Sequence, residues 1–185
     1  MKLATPLVPL GTVSIDLLCA VLPDADDTLW DQFSPRWQMT MHAATRTIAF
    51  VWVHRIDGFG APVILETNYA PEPLRAAAKR CGERLVELVG GGTISRLMLV
   101  DLPPGAEVLP HRDVAPIVTI PHRCHVPIET NDQVLFTING VDHRLDAGQG
   151  YEFDNTRQHA VANRGATRRV HLICDIMPAA GERGV

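Results

Sequence analysis

The chain has 185 residues, enough for one domain with a sizeable core and too few for two comfortable ones. Hydrophobic residues make up 46% of the chain and charged residues 21%, which is typical of a globular protein and speaks against disorder. The formal net charge of −4 argues against a general nucleic-acid binder and a polybasic membrane anchor, because both need an excess of Lys and Arg. We therefore expect neither nucleic acid nor a membrane as a partner.

Four cysteines lie at positions 19, 81, 124 and 174, and none of them forms a CxxC pair, which excludes a zinc ribbon. So few cysteines in a chain of this length predict reduced, mostly buried thiols. The apolar run after Lys2 is interrupted by prolines and has no cleavage signal, and no segment reaches the roughly 20 apolar residues of a membrane span. The expected location is the cytoplasm.

The first half of the chain reads as a mixture of helices and strands. Apolar residues at helical spacing predict a helix over Pro71–Val89, which ends at three consecutive glycines. Shorter signals predict a helix over Ile15–Leu22, with Ser14 as a possible cap, and strands at Thr47–Val53 and Pro62–Leu65. We interpret residues 1–92 as a helix-bearing support region within a single domain of residues 1–185.

The second half shows no helical periodicity and consists of short apolar runs separated by turn residues. Asn139-Gly140 is a strong hairpin signal. This pattern predicts a mainly β protein whose jelly-roll core covers residues 93–178. The predicted strands are Ser95–Leu102, Val114–Ile120, Cys124–Ile128, Val134–Ile138, His143–Leu145, Gly150–Phe153, His159–Ala162 and Arg169–Ile176.

Histidines are concentrated in this β half, where six of the eight lie between positions 111 and 171. In an extended segment His111 and Asp113 point to the same side, so they could supply two ligands to one divalent metal. His159, which opens a strand 48 residues after His111, is the best third ligand. Two His and one carboxylate leave three octahedral positions open, as in non-haem Fe(II) oxygenases. Alone, the HxD pair is weak evidence, because surface or core residues often have this spacing.

Arginines in the β half could bind a ligand that carries carboxylates. Arg169 begins an apolar strand, where a cation is costly unless it is paired, and it could grip a ligand carboxylate there with two hydrogen bonds. The alternative is an arginine at a strand end in water. Arg168 should point to the opposite side. Arg123 and His125 share a face and could hold another carboxylate oxygen, unless Arg123 simply pairs with an acidic residue of the chain.

The segment Pro110–Asp175 resembles the aspartyl/asparaginyl β-hydroxylase group of 2-oxoglutarate-dependent Fe(II) dioxygenases, which includes bacterial enzymes that hydroxylate free proline. The resemblance implies a double-stranded β-helix with His111, Asp113 and His159 as iron ligands. It also implies Arg169 on the distal carboxylate of 2-oxoglutarate, with Arg123 and His125 as a second binding pair. The best-studied animal members of the family have glycine where this chain has Asp113. The matching pieces are Pro110–Asp113, Arg123–Ile128, Thr130-Asn131, Gly148, Phe153–Asn155, His159–Asn163 and Arg169–Asp175.

The resemblance further implies hydroxylation of an unactivated C–H bond of an amino acid, either free or as an Asp, Asn or Pro residue in a peptide. Fe(II), 2-oxoglutarate and O₂ would be required, succinate and CO₂ would be released, and ascorbate is a possible stimulant. Two alternatives stay open: a cupin-like metalloenzyme that does not use 2-oxoglutarate, and a non-catalytic jelly-roll binding module. The sequence assigns no substrate or oligomeric state and no role to His122, His171, Arg46 or Arg55.

Overall fold

A computed structural model describes residues 3–32, 40–55 and 63–179. None of the helices in these ranges is long and apolar enough to cross a bilayer. The elements are, in chain order, β1 (Leu7–Thr12), α1 (Asp16–Val21), α2 (Asp27–Asp31), β2 (Arg46–Arg55), β3 (Val63–Glu66), α3 (Glu72–Leu88), β4 (Thr93–Leu102), β5 (Glu107–His111), α4 (Pro116–Thr119), β6 (His122–Glu129), β7 (Val134–Ile138), β8 (Val141–His143), β9 (Gln149–Phe153), β10 (His159–Asn163) and β11 (Arg169–Met177).

The strands form two antiparallel sheets. The large sheet has the strand order β1-β9-β6-β11-β4-β2-β3, and the small sheet has the order β5-β10-β7-β8. Strands that are distant in sequence are neighbours in both sheets, as in a double-stranded β-helix. The prediction of a mainly β jelly roll with supporting helices is thereby confirmed.

Three strands of the large sheet come from the first 92 residues. Strand β1 pairs with β9, β2 pairs with β4, and β3 extends the sheet from β2. The division of the single domain into a support region and a jelly-roll core at residue 92 stays a prediction. Backbone hydrogen bonds of the large sheet join strands from before and after that position.

Helix α3 covers the outer face of the large sheet. Its buried residues Leu74, Ala78 and Leu85 repeat at helical spacing, as the sequence predicts, and share one hydrophobic core with Val126 and Leu172 of the sheet. Burial of such side chains is the main force that holds the layers together.

Alternation along the central strands divides them between two environments. On β6, Cys124 and Val126 belong to the core under α3, whereas Arg123 and His125 line a cavity on the opposite face. On β11, Val170, Leu172 and Cys174 face the core, while Arg169 and Ile173 line the same cavity. The inner faces of the sheets therefore carry the polar groups that the sequence singled out.

The prediction of a strand at Val114–Ile120 is wrong, because this segment contains the short helix α4. Pro116 occupies the first turn, where its fixed φ and missing N–H cost nothing. The N–H groups of Val118 and Thr119 donate to the Ala115 carbonyl at 2.9 and 3.1 Å. Ile117 and Val118 line the cavity, so the apolar composition of the segment serves that wall and not a strand ladder.

Smaller departures concern ends and caps. Helix α1 lies within the predicted range, but Ile15 is its N-cap and no side chain caps it. The strand predicted at His143–Leu145 is shifted to Val141–His143. Strands β1 and β5 have too little alternation to stand out in the sequence, and each depends on pairing with a distant strand.

Candidate metal and carboxylate site

A cavity of about 370 Å³ lies between the inner faces of the two sheets. Its walls are largely apolar with a few polar side chains among them, which is the usual composition of a small-molecule site. The apolar part includes Val100, Val108, Phe136, Phe153, Val161 and Ile173.

His111 and His159 meet because they are direct partners in the pairing of β5 with β10. Their ring centroids are 4.2 Å apart. The Nδ1 atom of His111 lies 2.7 Å from the carbonyl oxygen of Leu109, and that of His159 lies 2.9 Å from the carbonyl oxygen of Arg157. Each carbonyl accepts a hydrogen bond from Nδ1–H, which leaves the lone pair of each Nε2 for a metal ion.

Asp113 completes a group of three possible metal ligands. One ligand atom from each of His111, Asp113 and His159 lies within 4.8 Å of the others. Burial lowers the pKa of His159 to about 4, so this imidazole is neutral at neutral pH, as a ligand must be. The structure therefore brings together the three residues that the sequence proposed, and the donor set suits a divalent transition metal.

Two side chains orient Asp113. Its Oδ2 accepts hydrogen bonds from Asn155 Nδ2 at 2.8 Å and from Arg123 Nη1 at 3.2 Å, so Oδ1 is the oxygen that can bind a metal. Burial raises the pKa of Asp113, but Arg123 and the Asn155 hydrogen bond outweigh burial and hold the pKa below its usual value. The carboxylate is therefore ionised. Sequence reasoning quoted Asn155 only as part of a motif and missed this role.

Replacing Asn155 with alanine is expected to weaken metal binding by roughly 10- to 100-fold, the usual effect of losing a group that orients a ligand. Anaerobic titration with Co(II), followed by its visible absorbance, measures the change. The matched control is Asn68→Ala, since Asn68 is exposed and does not line the cavity. Equal metal affinity in the two variants would show that Asn155 does not support Asp113.

Arg169 lies in the same cavity and is only 2% exposed. Its Nη2 donates to Nδ1 of His171 at 2.5 Å. Arg168 points to the other side of the strand, as expected, where it forms two 2.7 Å hydrogen bonds with Glu129 and lies over Trp30. A buried guanidinium thus faces the space beside the three possible metal ligands, and its binding of a ligand carboxylate stays a prediction.

Arg123 already pairs with two carboxylates of the protein. Its Nε and Nη2 donate to Asp175, and its Nη1 donates to Asp113. Burial lowers the pKa of Arg123, but Asp175 and Asp113 outweigh burial and raise it overall. The alternative of pairing with an acidic residue therefore describes this side chain, and contact with a ligand stays a prediction. Arg96 donates to the same Asp175 at 2.5 Å, so one buried carboxylate joins two arginines.

His125 is buried in the cavity wall, where its ring packs edge-on against Phe153 and Phe136 at centroid distances of 4.9 and 5.6 Å. Its predicted role in binding 2-oxoglutarate stays a prediction. Asp175 and Arg96 were missed by sequence reasoning. The available signal for Asp175 was its spacing from Arg169 and His171, which puts all three on one face of β11.

Three of the residues without an assigned role, His122, Arg46 and Arg55, do not line the cavity or have no described side chain. His122 pairs with Glu152 at 2.7 Å, and Arg46 pairs with Asp27 and Asp101, so both have structural partners outside the cavity. The side chain of Arg55 lies outside the described part of the chain. The cavity is lined in addition by Met41, His42, Trp52 and the exposed Arg112, none of which the sequence placed there.

The chain is similar to a known protein family and to solved structures. Residues 25–178 match the family model described as aspartyl/asparaginyl beta-hydroxylase. No curated protein matches the chain. The viral collagen prolyl hydroxylase of Paramecium bursaria Chlorella virus-1 has a similar structure, with a TM-score of 0.59 and 10% identity, covering 96% of this chain and 98% of that one.

A second similar structure is an oxidoreductase of the 2OG-Fe(II) oxygenase family from Burkholderia pseudomallei. Its TM-score is 0.52 at 12% identity, and the alignment covers 88% of this chain and 89% of that one. At such low identities the two likenesses show a shared fold and nothing finer.

Proposed function

This chain belongs to the aspartyl/asparaginyl β-hydroxylase family, and from that premise we propose that it is an Fe(II)- and 2-oxoglutarate-dependent dioxygenase. The proposed reaction hydroxylates an unactivated C–H bond of an amino acid, free or within a peptide, and releases succinate and CO₂. The observation that carries the proposal is the convergence of His111, Asp113 and His159 within 4.8 Å, in a cavity that also holds the buried Arg169.

The chemistry of these residues fits both Fe(II) and 2-oxoglutarate. Two neutral imidazoles and an ionised carboxylate suit Fe(II) and leave half of its octahedral positions for other ligands. The dianion 2-oxoglutarate needs a cation for its distal carboxylate, and Arg169 supplies one within a largely apolar cavity. Bound together, Fe(II) and 2-oxoglutarate would supply the oxidising power for C–H hydroxylation with O₂.

The residues of the chain would bind the metal, orient 2-oxoglutarate and exclude water from the cavity. His111, Asp113 and His159 would hold the metal, and Arg169 would fix the far end of 2-oxoglutarate. Phe136 and Phe153 line the cavity and would keep water out of it, which favours hydroxylation of the substrate over side reactions. The position of Arg169 in the cavity wall favours this proposal over a cupin-like enzyme that does not use 2-oxoglutarate and over a non-catalytic binding module.

The charge of the cavity favours an anionic substrate. Among the described residues that line it, Arg96, Arg112, Arg123 and Arg169 are cationic and Asp113 is anionic, with Asp175 behind the wall. The charges of Fe(II) and 2-oxoglutarate cancel, so a net positive field would face the substrate. Arg96 lies 5.3 Å from the ring centroid of Trp52, where an amino-acid carboxylate could approach it. We therefore propose a substrate that carries a carboxylate.

The first test is substrate-stimulated succinate formation from 2-oxoglutarate, with Fe(II) under air, over a panel of free amino acids and short Asp- or Asn-containing peptides. The best substrate is then compared with its carboxamide. We expect the amide to lower kcat/KM by at least about tenfold, as one lost hydrogen-bonded charge pair does. Stimulation by ascorbate stays a prediction and is tested in the same assay.

Two results would contradict these proposals. Absence of succinate from metal-loaded protein over the whole panel would favour the alternative functions. Equal turnover of acid and amide would refute recognition of a carboxylate and leave the hydroxylase proposal intact.

We also propose a cytoplasmic location. The four cysteines are free thiols, including Cys124 and Cys174, which are direct partners across β6 and β11. Thiols in this arrangement suit a reducing compartment. The proposed partner is a small-molecule or peptide substrate, without nucleic acid.

A further inference from the structure

A line of three buried side chains runs along the inner face of β11 and β6 at the end of the cavity. Arg169 and His171 are two residues apart on β11, and His125 lies on the neighbouring strand, opposite Ile173. The Arg169 Nη2 lies 2.5 Å from Nδ1 of His171. The rings of His171 and His125 meet edge-on, with centroids 5.7 Å apart. His171 is 1% exposed and is not itself part of the cavity lining.

The proton arrangement of His171 follows from its neighbour. A guanidinium can only donate hydrogen bonds, so Nδ1 of His171 must accept, and the proton of its neutral ring must be on Nε2. Burial, together with the charge of Arg169 and the proximity of His125, lowers the pKa of His171 well below its usual value. The ring is therefore held as a neutral acceptor that faces the arginine.

We propose that His171 is a positioning residue that orients Arg169 for 2-oxoglutarate. This inference rests on the proposed function and deepens it. The hydrogen bond to Nδ1 fixes one Nη2–H and thereby the plane of the guanidinium, in the orientation that would bind the distal carboxylate of the co-substrate. An arginine held in its binding geometry loses less conformational entropy when the ligand arrives.

The arrangement also explains why an imidazole is useful at this position. A larger apolar side chain would leave a donor of Arg169 facing hydrocarbon, which is costly for a charged group. A carboxylate would neutralise the guanidinium and compete with 2-oxoglutarate. A neutral acceptor directs the arginine without adding a negative charge beside it.

Two polar variants separate orientation from packing. His171→Asn places an amide oxygen near the position of Nδ1, whereas His171→Gln carries its amide to the position of Nε2. The dissociation constant of 2-oxoglutarate is measured by calorimetry under anaerobic conditions on protein loaded with Fe(II), together with metal affinity. We expect His171→Gln to raise that constant about tenfold, as loss of one hydrogen bond to a charged group does. His171→Asn should stay within about threefold of the unmodified protein, and metal affinity should change in neither variant.

A double-variant comparison identifies the partner. In an Arg169→Gln background, His171→Gln should cause no further loss of 2-oxoglutarate affinity, because the group through which His171 acts is gone. In turnover, His171→Gln should raise the KM for 2-oxoglutarate and retain kcat at saturation.

Each other outcome overturns the inference. Unchanged 2-oxoglutarate affinity in His171→Gln, an equal loss in both variants, or full additivity with Arg169→Gln would each show that His171 does not position Arg169. If the unmodified, metal-loaded protein fails to bind 2-oxoglutarate, the proposed function fails as well. If it binds normally and the variants show no difference, only the role of His171 is refuted.

Discussion

Replacement of Arg169 by alanine is expected to abolish turnover at ordinary 2-oxoglutarate concentrations, because the co-substrate no longer binds. The guanidinium is 2% exposed and lies in a largely apolar cavity, where a carboxylate left without its cation is poorly solvated. Truncation of one partner of such a buried charge pair costs about 2–5 kcal/mol, which corresponds to a rise in the dissociation constant of about 30-fold to several thousand-fold. Calorimetry with 2-oxoglutarate on metal-loaded protein under anaerobic conditions measures this change directly.

The neighbouring Arg168 provides a matched control. It points away from the cavity, pairs with Glu129 and stacks on Trp30, so Arg168→Ala should leave 2-oxoglutarate affinity within about twofold. Metal affinity should be equal in both variants, since neither arginine belongs to the group of three possible ligands, His111, Asp113 and His159. If Arg169→Ala binds 2-oxoglutarate as tightly as Arg168→Ala does, the assigned role of Arg169 is refuted.

The second large effect concerns the metal. His159→Ala is expected to weaken metal binding by more than roughly 100-fold, because even the loss of a group that only orients a ligand costs 10- to 100-fold. His159 lies opposite His111 in the register and supplies one of three ligand atoms, so the remaining pair would hold a metal only loosely. Anaerobic Co(II) titration and metal analysis after desalting measure the loss, and turnover should fall with it.

His143→Ala serves as the control for this variant. His143 ends β8 in the same small sheet, but it lies outside the cavity and should not affect metal affinity. Retention of metal by His159→Ala at the level of His143→Ala would refute the proposed ligand set.

Local alternation is the part of this site that a sequence can reveal. It correctly separated Arg169 from Arg168 and placed Arg123 and His125 on one face of β6. The meeting of His111 with His159 could only be suggested, because it depends on the register between β5 and β10, which no local pattern determines.

Two features escaped for different physical reasons. The run Val114–Ile120 has strand-like composition, but its apolar side chains face the cavity from a helix that begins at Pro116. The pairing of Asp175 with Arg123 and Arg96 depends on three strands lying side by side, so Arg123 could not be distinguished from a free ligand-binding cation. Packing of α4 against the cavity decides the first case, and pairing across neighbouring strands decides the second.

A single amide group links the metal ligands to the wall of the cavity. The Nδ2 of Asn155 donates both to Asp113 and to the carbonyl oxygen of Val118 at 2.7 Å, and Val118 belongs to the short helix α4. Thermodynamic reciprocity then applies: if bound metal tightens the binding of a molecule that contacts α4 by some factor, that molecule must tighten metal binding by the same factor. Occupation of the cavity and affinity for the metal ion would in this way be thermodynamically coupled.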